Sequence, residues 1–67
     1  MTVEDIGYKL KEILGDGISD YRVAKDTGLS YTLINTIRRG VRTNITLKTH
    51  DVLVKYFEAL DAERDIV

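Results

Sequence analysis

The chain has no cysteine, no proline and no tryptophan, and a single phenylalanine. Without cysteine there are no disulfides, thiolate zinc sites, iron–sulfur clusters or thiol nucleophiles, and nothing points to an oxidising compartment. Without proline, helices run uninterrupted. No apolar run approaches the roughly 20 residues needed to cross a bilayer, so no membrane association is expected. The start, Met1-Thr2-Val3-Glu4-Asp5, is acidic and lacks the basic and apolar stretches of a signal peptide, so the cytoplasm is the expected location. The 67 residues suffice for one domain only, since each domain needs about 50 residues or more. With 43% hydrophobic residues and a net charge of −1, that domain is globular.

The near-zero net charge hides an uneven distribution. Residues 1–21 carry two basic and five acidic side chains, a net of −3. Residues 22–48 carry six basic side chains against Asp26, a net of +5, and residues 49–67 return to −3. A basic centre between acidic ends suggests a surface for a polyanion, with nucleic acid the first to consider. The alternative is ordinary clustering on a solvated surface.

Helical periodicity dominates. Val3, Ile6, Leu10, Ile13 and Leu14 recur at helical spacing after Thr2, a potential N-cap, and Gly15-Asp16-Gly17 ends that helix. Ser19 or Asp20 can cap a second helix, Tyr21 to Thr27, with Val23 and Ala24 inward. Ser30 can cap a third, Tyr31 to Arg39, with Leu33, Ile34 and Ile37 on one side. Thr46 starts a fourth running to about Leu60, with Leu53, Phe57 and Leu60 inward. No alternating pattern supports a sheet. The expected architecture is an all-α bundle of four to five short helices; residues 61–67 are not placed.

The segment 19–40 is the informative one. Two helices of about two turns are separated by Gly28-Leu29-Ser30, and such a turn packs its helices at about 90–120°. Ala24 is small enough for a close crossing, Gly28 accepts the positive φ of a sharp reversal, and Leu29 can plug the angle between the helices. With Ile34 and Ile37 as anchors, Tyr31, Thr32, Asn35 and Thr36 point outward, followed by Arg38, Arg39 and Arg42. Hydrogen-bonding groups that can read base edges, flanked by groups that can hold phosphates, suit sequence-specific binding to duplex DNA.

Val23-Ala24, Thr27-Gly28, Leu29-Ser30, the pair Ile34 and Ile37, and the closing Gly40 together resemble the helix-turn-helix of the Cro/repressor (XRE) family. The likeness extends over about residues 3–60. It implies a repressor-like DNA-binding domain whose third helix enters the major groove, in a transcriptional regulator of phage or mobile-element type that binds a double-stranded operator as a homodimer. Carried over residue by residue, base contacts fall to Tyr31, Thr32 and Thr36, with Asn35 adjacent. Phosphate contacts fall to Tyr21 and Arg22 at the start of the second helix and to Arg39, Arg42, Thr43 and Asn44 after the third. Two positions depart from the family pattern. Asp20 stands where a phosphate-binding amide is frequent, and a carboxylate would repel phosphate. Arg38 stands where an acidic residue is frequent, with Glu12 a possible partner.

Each assignment has a plainer alternative. Tyr31 can cover Leu29 and Leu33, Asn35 can bond locally, and surface arginines can merely solubilise. His50, alone and without cysteine, suits a structural role and not a metal site. No nucleophile–base–orienter set exists, so neither catalysis nor a cofactor is expected. The competing function is a protein-interaction adaptor, or an antitoxin, on the same fold, using the C-terminal tail for a protein partner. Val52, Tyr56, Ile66 and Val67 are the candidates for self-contact; Val52 and Tyr56 alternatively pack against the first helix.

Overall fold

The helices begin where hydroxyl side chains meet otherwise unbonded amides. The computed structural model of the chain describes residues 1–64 and contains α1 (Val3–Gly15), α2 (Asp20–Thr27), α3 (Tyr31–Arg38) and α4 (Leu47–Arg64), with no strand among the described residues. Thr2 Oγ1 accepts from the Asp5 amide at 3.1 Å while Asp5 Oδ2 accepts from the Thr2 amide at 3.1 Å, a reciprocal capping box. The Thr2 amide, and secondarily the Thr2 hydroxyl, hold the Asp5 carboxyl below its ordinary pKa of 3.8. Ser19 accepts from Arg22 at 3.2 Å, Ser30 from Leu33 at 3.0 Å and Thr46 from Thr49 at 3.2 Å. Ser19 is thus the cap of α2, and Asp20 its first helical residue.

Glycines end the two helices that matter most for the site. Gly28 has φ +75° and bonds back to the Ala24 carbonyl at 2.9 Å, closing α2. Gly40 has φ +77°; its amide reaches the Ile37 carbonyl at 3.1 Å and that of Val41 reaches Thr36 at 3.0 Å, a Schellman ending for α3.

The core is drawn from all four helices: Ile6, Leu10 and Ile13; Val23 and Ala24; Ile34 and Ile37; Leu53 and Phe57. Val3, Ile18, Leu29, Leu33, Ile45, Tyr56 and Leu60 are partly buried against it. Leu14, expected on the inner face, is 39% exposed, because the chain turns away at Asp16 before any element covers it. Gly7 is buried at the closest approach of α1 and α3: a Cβ there would lie 2.8 Å from the Ile37 carbonyl oxygen.

α4 runs a turn beyond the expected Leu60, to Arg64. The extension is tied down by Lys9, whose Nζ lies 2.9 Å from Asp61 and 3.1 Å from Glu12; these contacts, Asp61 first, raise the Lys9 pKa against the opposing effect of burial. Tyr56 packs against the core and donates from its hydroxyl to Asp26 of α2 at 2.9 Å, so its polar tip meets the second helix and not the first. Burial, then the Asp26 bond, push the Tyr56 phenol up to about 12. Val52 is half-buried; the expected contacts of Ile66 and Val67 lie outside the described residues. His50 Nε2 bonds the Met1 carbonyl at 2.6 Å. Among the described residues no helix is long and apolar enough to cross a membrane.

Candidate nucleic-acid interface

Successive residues of a helix are rotated by about 100°, which divides α3 into two faces. Ile34 and Ile37 are fully buried. Thr32 lies on the opposite side and is exposed; Thr36, one turn later, is half-buried. Tyr31 is 52% exposed at the start of the helix, so it does not serve chiefly as a cover for Leu29 and Leu33. Tyr21, at the start of α2, is 68% exposed. Arg39, Arg42, Thr43 and Asn44 are exposed at and beyond the end of α3. The loop carrying them is anchored by the Thr36 carbonyl, which accepts from both the Val41 amide at 3.0 Å and the Arg42 amide at 3.1 Å. α3 and its loop therefore form one continuous unit.

The two departures from the family pattern meet in one contact. Asp20 is buried at the start of α2 and accepts from Arg38 Nε at 2.8 and 2.9 Å. Arg38 thus pairs with Asp20 and not with the expected Glu12, which is engaged by Lys9. Burial explains the choice. The Asp20 side chain is only 7% exposed and needs a counter-charge, whereas that of Glu12 is 57% exposed and is satisfied by water. Asn35 joins the same site, donating from Nδ2 to Asp20 at 3.2 Å, while its Oδ1 lies 3.5 Å from Arg39 Nη1. Asn35 therefore faces inward with one amide hydrogen committed, beside the outward row of Thr32 and Thr36.

The same pairing sorts the cations. Arg22 is partnered by Asp26 at 3.5 Å, Arg38 by Asp20 and Lys9 by Asp61. Arg39, Arg42, Lys11, Lys25, Lys48 and Lys55 have no carboxylate within ion-pair distance among the described residues. Lys11 was not singled out from sequence. It lies over the Tyr8 ring, 5.3 Å from the centroid. Tyr8, Lys11, Arg38, Arg42 and Thr43 line a cavity of about 490 Å³ between α1 and the loop after α3, with Gly7 and Gly40 also on its wall. The sequence signal for Lys11 was hidden in the acidic N-terminal segment; only the packing of α1 against α3 brings it beside Arg42.

No protein-family model, curated protein or solved structure matches the chain.

Proposed function

We propose that the protein is a sequence-specific double-stranded DNA-binding transcriptional regulator of the phage or mobile-element repressor type. In this reading α2 and α3 form a helix-turn-helix, and α3 enters the major groove. The observation that carries it is the arrangement around α3: an exposed row of Tyr31, Thr32 and Thr36, opposite a fully buried isoleucine pair, continuing into a loop with the unpaired cations Arg39 and Arg42. The row supplies groups for base edges and the loop supplies phosphate partners. Tyr21 and Arg22 at the start of α2 and Thr43 and Asn44 in the loop complete the phosphate set. The working unit is a homodimer on a two-fold operator, because one recognition helix covers too little groove for tight discrimination.

The test is selection of a binding site from random duplex DNA by the purified chain, followed by salt titration and sedimentation of the complex. Neutralising about four to six phosphates per dimer gives a slope of roughly −4 to −6 in log affinity against log salt. Two-fold symmetric selected sites and a two-to-one complex are expected. Absence of duplex binding at low salt refutes the proposal.

A further inference from the structure

A threonine hydroxyl has one hydrogen to donate. At Thr36 that hydrogen is directed into the helix: Oγ1 lies 2.9 Å from the Thr32 carbonyl and 2.9 Å from the Leu33 carbonyl. The side chain is then unable to donate to the acceptors that guanine presents in the major groove, N7 and O6, without breaking an existing bond. Its remaining resources are the oxygen lone pairs and the Cγ2 methyl. Thr32, one turn earlier, differs: its hydroxyl makes no hydrogen bond within the described residues and is free to donate. Asn35 differs again, its amide held toward Asp20 at 3.2 Å. Of three neighbouring polar residues, Thr36 is the one whose donor is already used.

We propose that Thr36 is a specificity-determining residue that recognises the C5-methyl group of a thymine through its own methyl, so that the base pair beneath it is A·T with the thymine toward α3. This inference rests on the DNA-binding reading above. Thymine is distinguished from cytosine in the major groove partly by that methyl, and an apolar contact is the means of sensing it. The two carbonyl bonds hold χ1 of Thr36 in one rotamer, and the Thr36 carbonyl holds Val41 and Arg42, so the methyl has a defined position relative to the phosphate-binding loop.

The experiment uses the full chain and its selected duplex. Each thymine in a half-site is replaced in turn by uracil, which removes only the methyl, and binding is measured for wild type, Thr36→Val and Thr36→Ser; circular dichroism verifies that all three fold. Wild type and Thr36→Val are expected to bind about fourfold more weakly at one uracil position, the value of one buried methyl, and Thr36→Ser is expected to be indifferent there. The inference is overturned if Thr36→Val loses the preference, since the hydroxyl would then be the reading group. It is equally overturned if no uracil substitution has an effect that depends on residue 36. Specific binding with either of those results leaves the regulator reading standing, whereas absence of duplex binding removes both.

Discussion

Removing either member of the Asp20–Arg38 pair leaves the other in a different environment, and the two losses should be unequal. Asp20→Ala removes the carboxylate that accepts twice from Arg38 Nε and once from Asn35. The Arg38 side chain is 23% exposed, so its guanidinium regains some water; the expected loss is about 2 kcal/mol. Arg38→Met keeps the aliphatic stem but leaves the Asp20 carboxylate, 7% exposed, with only Asn35 as a partner; the expected loss is about 3 kcal/mol. The double variant has no orphaned charge and should lose about 2–3 kcal/mol, well short of the sum of the singles. A domain of this size has about 5 kcal/mol in all, so urea unfolding is best followed in a stabilising osmolyte such as sucrose. Two results would refute the reasoning: single losses that add to within about 0.5 kcal/mol in the double variant, or a greater loss for Asp20→Ala than for Arg38→Met.

Four further outcomes are expected. Gly7→Ala should lower the melting temperature, because the new Cβ meets the Ile37 carbonyl at 2.8 Å and must push α1 away from α3 at a cost of about 1–3 kcal/mol; an unchanged or higher melting temperature disproves the close approach. Gly28→Val, which puts a β-branched residue at φ +75°, should largely unfold the chain by circular dichroism. In alkaline titration one phenol should ionise near 12 and disappear in Tyr56→Phe; since the folded-state pKa is raised, this group's stabilisation is complete below pH 10 and is lost as the pH rises through about 12. Arg42→Ala should weaken binding to all duplexes about equally and flatten the salt slope by about one unit, whereas a change confined to the selected site would place Arg42 on a base.

Much of the fold was legible because local signals coincide with tertiary ones. Thr2, Ser19, Ser30 and Thr46 lie where hydroxyl caps are needed, and Gly28 and Gly40 where the chain must reverse. Ile6, Leu10, Ile13, Val23, Ile34, Ile37, Leu53 and Phe57 repeat at helical spacing and are buried. What failed was pairing between residues distant in sequence. Nothing within α1 announces that Gly7 abuts the Ile37 carbonyl, since a lone glycine in a helical pattern is also compatible with an exposed position. The extra turn of α4 depends on Lys9, 52 positions from Asp61, and no helix-end rule contains it. Likewise Glu12 was paired with Arg38 by analogy of position, but the degree of burial favours Asp20, and burial is not a local property.

The charge asymmetry acquires its meaning only after those pairs are removed. Arg22 and Arg38 contribute to the +5 of residues 22–48, yet each lies against a carboxylate, Arg38 inside the fold. They hold α2 and α3 in place. Two of the uncompensated cations, Arg39 and Arg42, follow α3 directly, and α1 adds Lys11 across the shared cavity despite belonging to a segment of net −3. The potential an approaching polyanion meets is therefore set by which cations lack a partner, more than by segment totals. That distinction can be measured independently of any operator. Arg42→Ala and Arg22→Ala remove the same formal charge, but Arg22 already faces Asp26 at 3.5 Å. Arg42→Ala should therefore reduce nonspecific duplex affinity at low salt by the larger factor, and equal losses would show that net charge alone governs the encounter.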